Sequence, residues 1–251
     1  MTGVQTCALP ISAKALVLCP AGGLPHQSSG GAEALAEAAS KRIQSYFPQW
    51  ELSSEALRGS PAEVILNTSG WWRPDLLLIG SDTFATERSM TSNVALEVVH
   101  RARCSVRVAR TGAPAASGPI QLVIGNAGSK ECEVVMHKVA QRRWPEDTEA
   151  HVISVVETRP DDGEQERHRL RDVTENPVNC LRRAGLTVSR RFIDGDPHQE
   201  LVREAERCRA DTIFIGPRRL SEIDRFLLGS VATAVVTRAR STVEVVRRPS
   251  C

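Results

Sequence analysis

Val94-Ala95-Leu96-Glu97-Val98-Val99-His100-Arg101-Ala102-Arg103-Cys104-Ser105-Val106-Arg107-Val108-Ala109-Arg110 returns 137 residues later as Val231-Ala232-Thr233-Ala234-Val235-Val236-Thr237-Arg238-Ala239-Arg240-Ser241-Thr242-Val243-Glu244-Val245-Val246-Arg247. Ten of the seventeen positions are identical: 94, 95, 98, 99, 101, 102, 103, 106, 108 and 110 in the first copy. Two earlier pairs keep an offset of 136. They are Arg73-Pro74-Asp75-Leu76-Leu77-Leu78-Ile79-Gly80 beside Arg209-Ala210-Asp211-Thr212-Ile213-Phe214-Ile215-Gly216, and the segment from Gly59 to Leu66 beside that from Gly195 to Val202. The change of offset falls between Gly80 and Val94, so the copies differ by one residue in one loop. A register held this far is an internal repeat. Thr111 to Pro119, small residues with no large apolar side chain, reads as a linker.

The second copy alternates strand and helix patterns. Ile120 to Gly125 is a short apolar run ending in glycine, and Ser129 can cap a helix whose apolar stripe is Cys132, Val135, Met136 and Val139. His151 to Glu157 is β-branched. Glu164 to Ala184 reads as a helix broken at Pro177, with Gly185 just past its end. Leu186 to Ile193 is a strand. Asp196-Pro197 opens a helix with an acidic cap, a proline in the first turn and Gln199 at the capping-box position, a signal repeated by Ser60-Pro61-Ala62-Glu63. Asp211 to Gly216 and Thr242 to Arg247 close the set, with Val231, Val235, Val236 and Ala239 as the stripe of the helix between them. The alternation predicts a parallel sheet covered on both faces, with a ligand site at the carboxyl ends of its strands after Gly125 and Gly216.

Composition excludes several classes. In 251 residues, 41% are hydrophobic and 25% charged, with a net charge of +2. The 32 basic and 30 acidic residues nearly cancel, and the arginines are not interleaved with aromatics, so no nucleic acid is expected. No apolar run approaches the ~18 residues of a membrane helix. Seven cysteines, an odd number with no C-x-x-C pair, support neither a disulfide framework nor a zinc site. The expected setting is the cytoplasm.

These residues carry a family resemblance: the chain is similar to a tandem universal stress protein. The second copy matches over nearly its whole length through Gly125-Asn126-Ala127-Gly128-Ser129, Arg143-Trp144-Pro145, Asp211, Gly216, Gly229-Ser230-Val231-Ala232 and the strand Val243 to Arg247. The resemblance implies a Rossmann-like or flavodoxin-like α/β sheet in the order 3-2-1-4-5, with two such units paired through their fifth strands. The first copy matches from Ala15 to Cys19, which corresponds to His151 to Val155, but nothing upstream corresponds to Ile120 through Ala150. It therefore reads as lacking its first strand and first helix. Residues 2–11 resemble translated sequencing adapter. The expected boundaries are an artefact at 1–12, a truncated stress domain at 13–111, a linker at 112–118 and a complete stress domain at 119–251.

The resemblance also implies an adenine-nucleotide site with the signature G-x2-G-x9-G-[ST]. Glycines and a helix N-terminus recur at such sites because backbone N–H groups must approach phosphate closely. In the second copy the site residues are Gly125, Ala127, Ile215, Gly216, Arg219, Gly229, Ser230 and Val231. Ser230 would offer its hydroxyl, and Ser230 and Val231 their amides, to phosphate oxygens. Two departures weaken ATP as a ligand. Ala127 stands where the family carries an acidic residue against the nucleoside, and Arg219 replaces the second glycine, although its guanidinium is suited to phosphate. The first copy has Gly80, Thr83 and Ser92-Asn93 at the signature positions and cannot complete the site. No catalytic constellation stands out: His137 and His198 are not tied to a nucleophile, and Trp71, Trp72 and Trp144 read as packing residues. A non-enzymatic stress-response module is expected, pairing through its last strands internally or as a homodimer and carrying a degenerate nucleotide site in the second copy. An ATP-binding regulatory module with slow or no hydrolysis is the alternative.

Overall fold

The computed structural model describes residues 13–21, 29–81, 90–110, 118–156, 163–217 and 228–248. The expectations placed on residues 1–12, on most of the linker, on Thr83, and on Arg218 and Arg219 lie outside them. Two compact units divide at Arg73/Pro74, inside the first copy of the repeat, so the described part of the 13–111 segment is shared between them.

The smaller unit holds β1 (Lys14–Ala21), α1 (Ser29–Tyr46), β2 (Glu51–Arg58) and α2 (Pro61–Trp72). Its strands pair in parallel, Lys14 with Glu51 through Ala21 with Arg58. Ala32 and Ala36 are the buried residues of α1. At α2 the chain departs from expectation: Ser60 has an extended N-cap conformation but its side chain makes no capping bond. Trp71, expected to pack, is 61% exposed.

The larger unit is a seven-stranded sheet. It contains β3 (Leu76–Ser81), α3 (Met90–Arg101), β4 (Ser105–Arg110), β5 (Gln121–Asn126), α4 (Lys130–Ala140), β6 (Glu149–Val156), α5 (Gly163–Arg183), β7 (Thr187–Asp194), α6 (Pro197–Arg207), β8 (Thr212–Ile215), α7 (Ser230–Arg238) and β9 (Thr242–Val245). The strand order is β3-β4-β9-β8-β5-β6-β7. Numbered within the second copy, β7-β6-β5-β8-β9 is the order 3-2-1-4-5, and every pair among these five is parallel. The expected α/β fold is present.

The second copy's part of this sheet is covered by the stripes that the sequence provides. On one face Leu122, Ile124, Ala150, Val152 and Phe214 pack with Val135, Met136 and Val139 of α4 and Val178 and Leu181 of α5. Ser129 caps α4 by accepting from the Cys132 amide, and Asp196 caps α6 by accepting from the amides of His198 and Gln199. Gly185 leaves α5 at φ +88°, the left-handed geometry that ends a helix. The expected break at Pro177 is corrected: α5 runs through it to Arg183. The hydrogen bond a proline forgoes here is to Val173, which is 37% exposed, while Val178 and Leu181 beyond it are fully buried and hold the helix to the sheet.

Among the described residues the first copy has no counterpart of β5 and α4. The expected order puts that strand between the second and fourth, and the described strands of the first copy belong to separate sheets, β1-β2 in the smaller unit and β3-β4 in the larger. Phe214 is completely buried on the face covered by α4, whereas Leu78, its counterpart at the 136 offset, is 65% exposed. Within the larger unit the described helix of the first copy is α3, the counterpart of α7 and not of α4. Among the described residues no helix is long and apolar enough to cross a membrane.

Candidate functional site

Parallel strands β5 and β8 lie side by side, Ile124 level with Phe214, so their carboxyl ends open on the same edge of the sheet. Gly125 is buried where β5 meets β8 and α6. A Cβ there would fall 3.1 Å from Ile215 Cγ2 and 3.2 Å from Leu201 Cδ1, closer than packed side chains normally come. Gly216 performs the same service on the other side, where a Cβ would sit 3.2 Å from Glu131 Cβ and 3.4 Å from its carbonyl. The chain leaving β8 thus passes directly against the first turn of α4. Between them the turn after β5 is pinned from within: Asn126 donates from Nδ2 to Ser154 Oγ at 2.7 Å and accepts from the Gly128 amide at 3.1 Å. Gly128 has φ +64°, and its missing side chain leaves room for Leu170. Ala127 at the tip is exposed, its amide donating to Cys132 Sγ at 3.2 Å.

Gly229 is the N-cap of α7. It brings no side chain to cap the helix, and no acidic residue lies in the first turn. The first backbone bond of the helix runs from the Thr233 amide to the Gly229 carbonyl at 3.0 Å. Helix geometry therefore leaves the amides of Ser230, Val231 and Ala232 without an intrahelical acceptor, at the positive end of the helix dipole. Ser230 is exposed, with Gly229 and Val231 half-buried. Of the eight expected site positions, Gly125, Ala127, Ile215, Gly216, Gly229, Ser230 and Val231 are described. Gly125, Ile215 and Gly216 are drawn together at one strand edge. Arg219 lies outside the described residues.

A second constellation, not anticipated from sequence, lies where the copies meet. β4 runs antiparallel to β9, with Val106 opposite Val245, Arg107 opposite Glu244 and Val108 opposite Val243. The four valines are fully buried, as their alternation suggests. The charged positions between them are buried as well, with Glu244 at 0% and Arg107 at 6% exposure. Arg107 donates from Nε to Glu244 Oε2 at 2.8 Å, and its Nη2 lies 2.7 Å from the same oxygen. Arg142, just past α4, donates to both carboxylate oxygens, at 2.9 Å from Nη1 to Oε2, and stacks over the Phe214 ring. Burial alone would raise the Glu244 pKa, but bonds from the two arginines and their charges outweigh it and hold the carboxyl below its ordinary range.

The flanks of this seam are reciprocal. Arg247 donates from Nη2 to the Val99 carbonyl at 2.7 Å near the end of α3, and Arg110 donates to the Val236 carbonyl near the end of α7. Arg110 and Arg247 are equivalent in the repeat, as are Val99 and Val236. Each copy's last strand thus places a cation at the negative end of the other copy's last helix. The sequence signal for the central pair was present: residues 107 and 244 are also equivalent, and a twofold pairing of equivalent strands sets its central residues face to face.

The remaining candidates are structural. Trp144 donates from Nε1 to the Val139 carbonyl at 2.8 Å and meets Phe214 edge-on, with centroids 6.1 Å apart. His198 lies between Asp196 and Arg238, with Arg238 Nη1 2.6 Å from its Nε2. His137 is exposed. Among the described residues no group of three His, Cys, Asp or Glu side chains could hold a metal ion.

Comparison with known proteins agrees with this architecture. Residues 121–247 match the model of the universal stress protein family. Universal stress protein MJ0531 of Methanocaldococcus jannaschii is 37% identical over 65 residues, which are 26% of this chain and 38% of that protein. The chain thus aligns with well under half the length of this curated relative. A crystal structure of a universal stress protein from Archaeoglobus fulgidus superposes with a TM-score of 0.63 at 19% identity, covering 95% of this chain and 86% of that one. A putative universal stress protein from Pseudomonas aeruginosa superposes with a TM-score of 0.60 at 18% identity, covering 94% and 92%. At these identities the two structures speak for the fold, while the family match spans half the chain on its own residues: this chain belongs to the universal stress protein family.

Proposed function

We propose that the protein is a non-enzymatic stress-response module whose last strands pair, and whose second copy carries a weakened adenine-nucleotide site at the edge formed by Gly125, Ile215, Gly216, Gly229, Ser230 and Val231. The observation that carries the nucleotide part is the start of α7: a helix N-terminus without side-chain cap or first-turn acid, in the family's glycine signature. Such an end offers amides and positive potential to a phosphate. Ala127 supplies no carboxylate for the ribose or base, so the site holds its ligand by the phosphate end alone. Two glycines packed tightly against Leu201, Ile215 and Glu131 keep the loops close to the strand ends. The pairing part rests on the buried seam of β4 and β9.

The test is calorimetric titration of the full chain with ATP, alongside the double variant Ala127→Asp with Arg219→Gly. Restoring the carboxylate and the close approach raises affinity at least tenfold, about 1.4 kcal/mol, if the site is a decayed nucleotide site. A correctly folded double variant with unchanged affinity refutes it. ATP bound by the unaltered chain and released unhydrolysed fits a regulatory module; steady turnover refutes the non-enzymatic reading.

A further inference from the structure

We infer that the Arg107–Glu244 pair is a recognition device that makes the last strand of the second copy select the first copy of its own chain and reject a second copy of itself. This rests on the strand-pairing part of the proposed function and is independent of nucleotide binding.

The argument begins with symmetry. β4 and β9 are equivalent strands of the repeat, and they pair antiparallel about a point that falls on residues 107 and 244. The valines and the outer arginines that flank that point are the same in both copies. Val106 corresponds to Val243 and Val108 to Val245, and the pairing sets valine against valine on each side. Arg110 and Arg247 exchange the same bond, each reaching a valine carbonyl at the end of the other copy's last helix. These features would form equally well between two second copies or two first copies. They supply adhesion without choice.

Ser105 and Ala109 are Thr242 and Val246 in the second copy, uncharged exchanges, whereas the central position reverses its charge, and a residue at a twofold centre meets its own equivalent. In the observed pairing that equivalent is opposite in charge, and Arg107 directs Nε and Nη2 at a single carboxylate oxygen of a completely buried glutamate. If two second copies paired, Glu244 would face Glu244. Two acceptor-only carboxylates would then stand where a donor and an acceptor now meet, in an interior that screens charge poorly. Arg142 would still serve each carboxylate, yet the Oε2 edge now occupied by Arg107 would face an anion. If two first copies paired, Arg107 would face Arg107 with no carboxylate between them. Like charges set directly opposite across strands disfavour pairing. The charge at this one position therefore places an unfavourable juxtaposition in both wrong complexes.

The experiment keeps the chain whole until it has folded. A specific protease site is inserted within residues 112–118, the protein is purified and cleaved, and association of the two pieces is read by size exclusion with light scattering. Hydrogen exchange on β5, β6 and β7 verifies that the second piece is folded. Wild-type pieces co-elute, and so do those of Arg107→Met, in which Glu244 keeps Arg142. Pieces of Arg107→Glu separate, with retention roughly tenfold weaker or more, while β5 to β7 remain protected. Reversing all three charges, Arg107→Glu with Glu244→Arg and Arg142→Glu, restores retention. In mixed wild-type preparations a tagged second piece captures untagged first pieces and no untagged second pieces. The inference is overturned if Arg107→Glu retains its pieces like wild type, if Arg107→Met separates as completely as Arg107→Glu, if the triple reversal stays apart, or if second pieces capture one another.

Discussion

Phe214 and Leu78 occupy the same position in the two copies, and truncating them separates what the residue contributes from what its covering helix contributes. Phe214 is completely buried under α4, meets Trp144 edge-on with ring centroids 6.1 Å apart, and lies 5.2 Å below the Arg142 guanidinium. Phe214→Ala removes a ring from a site closed on all sides, a change that costs about 3–5 kcal/mol from lost transfer energy and the void left behind. The upper part of that range applies, because the edge-on aromatic contact adds about 0.5–1.5 kcal/mol beyond area. Leu78 is 65% exposed, so Leu78→Ala costs within about 0.5 kcal/mol. The assay is urea unfolding followed by fluorine resonance in protein carrying 5-fluorotryptophan. Trp144 is the one tryptophan of the larger unit, and Trp50, Trp71 and Trp72 belong to the smaller, so the transitions are read separately. The expected result is a large fall in the Trp144 midpoint for Phe214→Ala, at unchanged slope, and almost none for Leu78→Ala. Equal losses at the two positions would refute the claim that Leu78 lacks the burial that Phe214 has.

Other expectations follow from single contacts. Asp196→Ala removes two bonds to helix amides and costs about 1 kcal/mol, whereas Ser60→Ala, which removes none, changes stability by a few tenths at most; thermal unfolding distinguishes them. Gly216→Val places a branched side chain against the first turn of α4, 3.2 Å from Glu131 Cβ, and lowers the Trp144 urea midpoint by an amount corresponding to about 1–3 kcal/mol. Burial pushes the His151 pKa below its ordinary value despite the pull of Glu149. The folded state then binds this proton less readily than the unfolded state, so stability present above about pH 6.5 falls as pH drops through the folded pKa. Replacing His151 with Gln makes the urea midpoint less sensitive to pH between about 7.5 and 5.5; an unchanged slope would show that the ring titrates as it does in the unfolded chain.

Much of the candidate site was legible because its chemistry is local. Ser129, Asp196 and Gly185 act on backbone within a few residues of themselves, so the cap and turn signals could be read from spacing alone. Ser60 carried the same signal and made no cap bond, since a cap depends on a side-chain rotation that spacing does not specify. Pro177 failed as a breaker because tertiary burial of Val178 and Leu181 outweighs one missing backbone bond at a partly exposed turn. The glycines at 125 and 216 were found from a motif, but what they avoid, Leu201 and Ile215 in one case and Glu131 in the other, comes from segments distant in sequence.

The repeat, the alternation of strand and helix and the apolar stripe of each helix could be read from the chain alone, because periodicity and local backbone preferences are properties of short segments. Which strands became neighbours, the division of the described first copy between β2 and β3, the exposure of Leu78 where Phe214 is sealed, and the burial of Arg107 and Glu244 face to face emerged from the packed fold. Those outcomes depend on which surfaces meet, and the free energy of burying a charge or an apolar face is set by the partner that covers it.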